Sequence, residues 1–147
     1  MRILSIDPGE KHLGLAISDP SGLVATPLGI LRHISRPVDA AAIAQIASEH
    51  GAELIIVGQA LDADNLPTAG SRRSARLAAA IRSQTSLPVR LWDESGTTQA
   101  ARAARLAAGA RRRDRAGHLD DIAAAVLLQS YLADNPGDSK SDFNPGT

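Results

Sequence analysis

Apolar positions in the first third of this chain fall in short runs separated by turn signals, the pattern of strands rather than helices. Arg2 to Ile6 reads as a buried strand that stops at Asp7-Pro8-Gly9, a turn sequence. Leu13 to Ser18, apolar with one internal glycine, predicts a second strand. Val24 to Leu31 predicts a third, after the tight turn Asp19-Pro20-Ser21-Gly22. Connections this short imply antiparallel pairing, because parallel neighbours need a long crossover. The period then changes. Ile43, Ile46, Ala47 and His50 follow i, i+3, i+4, i+7, so a helix is expected from Pro37, with Gly51 as its stop.

Leu54-Ile55-Ile56-Val57-Gly58 is an unbroken apolar run rich in β-branched residues, as expected of a strand covered on both faces. Gln59 to Ser71, polar with Pro67 and Gly70, reads as a long loop, and such loops in small domains commonly carry function. Arg72 to Ser83 predicts a helix, Pro88 to Trp92 a strand, Thr98 to Ala108 an alanine-rich helix, and Arg111 to Gly117 a basic loop. In the last helix, Leu119, Ile122, Ala123, Val126, Leu127, Ser130 and Tyr131 trace one face. From Asp134 the composition turns to Asp, Asn, Pro, Gly and Ser, which predicts a disordered tail. The expected organisation is one α/β domain over residues 1–133 and a tail over 134–147. Its sheet is mixed, opened by an antiparallel meander, with helices on its faces.

Composition adds limits. Hydrophobic residues make up 44% of 147 positions but aromatics only 2%, so the core relies on small side chains that let helices approach a sheet closely. The absence of cysteine excludes disulfides and thiolate metal sites and fits a reducing compartment. Asp7 interrupts the apolar N-terminal run, so no signal peptide is expected. No apolar stretch approaches the roughly 20 residues of a membrane span. A cytoplasmic protein without a membrane partner is the expectation. Sixteen basic residues balance sixteen acidic ones, so any attraction to a polyanion must come from a local patch.

Three acidic positions stand out by where they fall. Asp7 ends the first strand, Asp93-Glu94 end the last one, and Asp120-Asp121 open the final helix. Carboxylates from strand ends and a helix start can converge at one end of a sheet. Gathered there, they need a counter-ion, and a ligand set made only of oxygen suits Mg²⁺ or Mn²⁺. Such ions can activate water and stabilise the leaving oxygen in phosphodiester hydrolysis. Each position also has an ordinary explanation: Asp7 as a turn residue, Asp93-Glu94 as a solvated strand exit, Asp120-Asp121 as a helix cap. Their joint occurrence at three element boundaries is what favours chemistry.

The same segments resemble a known family. Ile6-Asp7-Pro8-Gly9-Glu10-Lys11-His12-Leu13-Gly14-Leu15-Ala16-Ile17-Ser18-Asp19-Pro20 is similar to the opening motif of the YqgF (RuvX) family. Val57-Gly58 matches its middle strand, and Trp92-Asp93-Glu94-Ser95-Gly96-Thr97-Thr98 resembles its Asp-Glu-Arg-x-Thr-Thr motif. Leu119-Asp120-Asp121-Ile122-Ala123-Ala124 opens a segment resembling its C-terminal helix. The resemblance runs from Arg2 to about Leu132, in the family's order and spacing. It implies a ribonuclease H-like α/β fold related to Holliday-junction resolvases: a mixed five-stranded sheet, an antiparallel meander followed by parallel strands, with helices on both faces. It implies a nuclease that matures the 5′ end of pre-16S rRNA, or a resolvase of branched DNA. Carried over by position, the metal ligands are Asp7, Glu94 and Asp120. Asp120 is preferred to Asp121 because its helical neighbours Ala123, Ala124, Leu127 and Tyr131 are on the apolar side, whereas those of Asp121 include Ala125 and Gln129. Two departures occur. Ser95 stands where the family has arginine, and Gly58-Gln59-Ala60 replaces Gly-Leu-Pro. Serine lacks the bidentate hold on phosphate that arginine offers.

Substrate contacts are expected from Lys11 and His12 beside the first motif, from Arg72, Arg73 and Arg76, and from Arg111, Arg112, Arg113 and Arg115. His118, two residues before Asp120, is a candidate for proton transfer or substrate contact. Trp92 is expected to pack against the sheet. The partner is then nucleic acid, an rRNA precursor or branched DNA, bound by a monomer or a homodimer. A competing class is a binding module that keeps the fold without the chemistry. A sugar-kinase or actin-like ATPase is disfavoured, since those need two such domains.

Overall fold

The opening meander follows from its short connections: β1 (Ile3–Pro8), β2 (His12–Ser18) and β3 (Ala25–Arg32) pair antiparallel in that order. The structure, a computed structural model, describes residues 1–93 and 119–136. The helix expected over residues 98–108, the basic loop at 111–117 and the tail beyond 136 lie outside the described residues. The meander leads into α1 (Arg36–Glu49), then β4 (Leu54–Gln59), α2 (Ala69–Arg82) and β5 (Val89–Asp93), and the last described helix is α3 (Leu119–Asp134). The sheet order is β3-β2-β1-β4-β5, with β4 parallel to β1 and β5 parallel to β4. This is the mixed five-stranded sheet expected from the sequence.

Three boundaries differ from expectation, each for a local reason. β1 continues through Asp7 and Pro8, which pair with Gly14 and Leu13, so the turn is confined to residues 9–11. Proline is tolerated because pairing of β1 with β4 stops at Ile6 and Val57, leaving no ladder bond there for its missing N–H. Next, α2 begins at Ala69 instead of Arg72. Thr68 and Ser71 form a reciprocal capping box that overrides the breaking tendency of Gly70. The preceding loop is correspondingly shorter. At the far end, α3 runs to Asp134, and the Asn135 N–H still donates to the Tyr131 carbonyl at 2.9 Å.

Strand alternation divides the core in two. Leu4, Ile6, Ile55, Val57 and Val89 face α1 and α2, meeting Ala40, Ile43 and Ala47 from one helix and Leu77, Ala78 and Ile81 from the other. Ile3 and Ile56 face α3, where Ala124, Leu128, Tyr131 and Leu132 cover them. The buried stripe of α3 is therefore Ala124, Leu127, Leu128, Tyr131 and Leu132. Ile122, Ala123, Val126 and Ser130, expected on that stripe, are only half-buried. Apolar residues surround most of this helix, so sequence period alone fixed its rotation poorly. No described helix is long and apolar enough to cross a membrane.

Candidate active site

Asp7 lies on the α3 face of the central strand, two residues beyond Ser5 and one before the turn-proximal Pro8. Its surroundings on that face are unusual. The residue paired with it on β2 is Gly14, and the next residue of β4 after the Ile6–Val57 pair is Gly58. Each neighbouring strand thus carries a glycine at the level of Asp7. Asp7 is half-buried.

The position of α3 relative to Asp7 is set by polar contacts. Ser5, fully buried, donates its hydroxyl to the Ala124 carbonyl at 2.7 Å. Farther along, Gln129 accepts from the Ala25 N–H at 3.3 Å and donates to the Leu23 carbonyl at 3.3 Å. Ala25 pairs with Ser18, whose hydroxyl accepts from the Ile3 N–H, so Gln129 lies near the start of β1. The helix thus descends from the Asp7 end of the sheet towards the other. One helical turn back from Ala124 is Asp120, a rise of about 6 Å. From Ser5 to Asp7 the strand climbs about 6.6 Å. The start of α3 and Asp7 therefore stand at the same level, over the same face.

β5 supplies the third edge. Gly58 pairs with Trp92 and Gln59 with Asp93. Arg90 and Trp92 project to the α3 face: Arg90 donates to the Tyr131 hydroxyl at 2.6 Å and the Trp92 indole to Ser130 at 3.3 Å. Trp92 also packs edge-on against Tyr131, with ring centroids 5.1 Å apart. It is thus a packing residue, as expected. Asp93 alternates to the opposite face, the one that carries Leu91 and Val89, and so is not on the Asp7 side of the sheet.

Glu94, Ser95, Arg111, Arg112, Arg113, Arg115 and His118 lie outside the described residues. Of Asp120, only its place in the first turn of α3 is described. Among the described residues, no group of three or more acidic or histidine side chains forms a metal site. Lys11 is exposed in the turn after β1, and His12 is exposed at the start of β2. Arg72, Arg73 and Arg76 are on α2, which covers the face opposite Asp7. Arg73 nevertheless reaches the turn after β1, with Nη2 3.7 Å from the Glu10 carboxylate.

Sequence inspection alone missed two features at this end. Ser5 looked like an ordinary strand residue, although a lone serine inside an apolar strand is a signal of a buried polar tie. His33 and Asp39 also escaped notice. The His33 Nδ1–H donates to Asp39 at 2.5 Å, and the same carboxylate accepts from the Ile34 N–H at 3.1 Å. Asp39 is 4% exposed, in the first turn of α1, where negative charge complements the helix dipole.

A five-stranded 3-2-1-4-5 sheet with helices on both faces and an aspartate on its central strand defines the ribonuclease H-like class. Comparison with solved structures agrees. Thermus thermophilus RuvC in complex with a Holliday junction substrate superposes with a TM-score of 0.58 at 19% identity, covering 91% of this chain and 95% of that one. A fowlpox virus Holliday junction resolvase gives 0.55 at 18% identity, covering 91% and 99%. The family model described as "RuvX: Holliday junction resolvase" matches residues 1–134, and the chain belongs to that family. Similar curated relatives bear the name "Putative pre-16S rRNA nuclease". That of Desulforamulus reducens is 37% identical over 134 residues, covering 90% of this chain and 96% of its own length. That of Geobacillus kaustophilus is 39% identical over 134 residues, covering 90% and 97%.

Proposed function

We propose that this chain is a metal-dependent nuclease that hydrolyses phosphodiester bonds, with the 5′ end of pre-16S rRNA as its substrate. The observation that carries the proposal is the position of Asp7. It sits on the central strand between two glycines, level with the start of the helix that bears Asp120. The names of the full-length relatives support the substrate.

Asp7, Glu94 and Asp120 are the proposed ligands of Mg²⁺ or Mn²⁺. The fit rests on donor chemistry: an all-oxygen set suits these hard cations, and the positions flanking Asp7 on both neighbouring strands, Gly14 and Gly58, carry no side chain of their own. Glu94 is proposed over Asp93 because the family motif it resembles keeps the glutamate, and Asp93 belongs to the face away from Asp7. Asp120 is favoured over Asp121 because it precedes by one turn Ala124, a residue of the buried stripe of α3. When bound, the ions supply activation of water and charge stabilisation at the departing oxygen. The protein's part is to hold the three carboxylates at fixed spacing from three separate elements. Lys11 and the cluster Arg111, Arg112 and Arg113 are proposed to hold the phosphate backbone, and His118 to contact substrate near Asp120.

The family description favours a second reading, cleavage of a four-way DNA junction. A resolvase must present two sites to two strands, so it would act as a symmetric dimer. The test is incubation of the purified protein with a pre-16S rRNA leader and with junction DNA, in Mg²⁺, Mn²⁺ or EDTA. Cleavage of the leader that requires metal and vanishes in Asp120→Asn is the expected result. Junction cleavage by a dimer, with the leader untouched, would replace the substrate. Metal-independent cleavage, or none of either substrate, would overturn the nuclease assignment.

A further inference from the structure

The two helices on the face opposite Asp7 both begin at the Asp7 end of the sheet, and a cleft of about 450 Å³ lies between them and the turn after β1. We infer that this cleft is a second, non-catalytic site that binds a nucleotide unit, with its phosphate between Arg36 and Arg73 and its base against the apolar lining.

Three observations support this assignment. The cleft has an apolar lining, with Pro8 of β1 and Pro37 of α1 accessible in it and Leu13 and Leu77 closing it from beneath. Two guanidinium groups stand on its rim from different helices. Arg36, exposed at the first turn of α1, makes no hydrogen bond or ion pair with any described residue, and Arg73 has only the long contact to the highly exposed Glu10. A phosphate would give both arginines a better acceptor than Glu10 does, since guanidinium and phosphate match in a planar, bidentate fork. The third is His33. Its Nδ1–H is committed to buried Asp39, which fixes the ring plane and leaves Nε2 as the only ring nitrogen able to meet a ligand. The Asp39 carboxylate also lines the cleft, and its two oxygens are turned to the His33 ring and the Ile34 N–H.

Size argues against a bare anion. The cleft lies within the roughly 300–1,000 Å³ of small-molecule sites, far more than inorganic phosphate fills. A base or ribose packed against Pro8 and Pro37 would use the remaining space. Pro8 and Gly9 form one wall, so an occupant would sit one residue from Asp7 but on the other side of the sheet. The same chemistry is offered by a free mononucleotide and by the 5′-phosphorylated end of a strand.

The experiment is a titration of the full-length ¹⁵N-labelled chain in EDTA, so that failure of the metal-site proposal would leave the outcome unaffected. Uridine 5′-monophosphate, uridine, inorganic phosphate and a 5′-phosphorylated oligouridylate are the four probes. The monophosphate is expected to shift the His33 ring signals and the amides of Gly9 and Leu77, and to bind more tightly than uridine or phosphate alone. Binding of the oligonucleotide at the same signals assigns the site to strand ends. Rejection of it, with the mononucleotide bound, assigns the site to free nucleotides, and either supports the cleft. Arg36→Ala with Arg73→Ala should weaken binding by about tenfold or more. Arg36→Ala alone, at an exposed position, should give part of that loss. Unmoved cleft signals, unchanged affinity in both variants, or phosphate binding as tightly as the nucleotide would overturn the inference.

Discussion

Replacing Ser5 tests how the fold sets the spacing of the proposed site. Its hydroxyl is fully buried and bonds the Ala124 carbonyl at 2.7 Å, inside α3. Ser5→Ala removes the donor, while the carbonyl keeps its place in the helical ladder. The loss is then that of one net hydrogen bond, about 1 kcal/mol. Ser5→Val loses the same bond and forces two methyl groups between β1 and α3, which adds about 1–3 kcal/mol of overpacking. At this chain length each kcal/mol lowers Tm by roughly 2–4 °C. Thermal unfolding should therefore show a small drop for alanine and one about two to four times as large for valine. Valine also lifts α3 one turn from Asp120. Metal-dependent cleavage measured well below the melting temperature should fall for Ser5→Val by more than the unfolded fraction explains, and much less for Ser5→Ala. A Ser5→Val protein that melts and cleaves like the parent would refute the idea that this contact holds helix and strand in register.

Three further outcomes are expected. A Cβ at Gly9 would lie 2.6 Å from the His12 carbonyl oxygen, a backbone atom, so Gly9→Ala should lower stability by about 1–3 kcal/mol in chemical denaturation and should impair cleavage by moving the turn next to Asp7. The Asp19 carboxyl, which accepts from the Ser21 hydroxyl and from the Val24 and Leu23 N–H groups, is held down at about 2. Because this value is depressed on folding, its contribution to stability is present above the ordinary aspartate range and is lost as pH falls towards 2. An NMR titration should find the low midpoint, and Ser21→Ala should move it upward. Thr68→Ala removes the cap of α2 and should destabilise by about 1 kcal/mol in the same denaturation assay.

The parts of the fold legible in the sequence were those where spacing leaves one solution. Short links between three apolar runs require a meander, and the Leu54–Val57 run could only be a strand with helices on both sides. Boundaries were less legible where two local signals compete. Pro8 and Gly9 announce a turn, yet Pro8 stays in the strand because the pairing of β1 with β4 has already stopped at Ile6 and Val57. Gly70 suggests a loop, yet the Thr68–Ser71 capping box starts the helix ahead of it. The rotation of α3 was hidden because apolar residues occupy most of its circumference, and polar contacts from Ser5, Gln129, Arg90 and Trp92 fix which stripe meets the sheet. Asp7 could be singled out by its place at a strand end. The pairing of His33 with Asp39 could not, since it joins a strand exit to a helix start through a bend that no periodicity describes.

The single tryptophan and single tyrosine of this chain meet edge to face across the seam between β5 and α3. That arrangement gives the protein an intrinsic optical reporter. Indole emission, excited without any attached dye, comes from one location only, and any event that pries α3 off β5 must alter its colour and its quenching by the phenol. Stopped-flow fluorescence can thus time the docking of that helix in the unlabelled, unmutated chain.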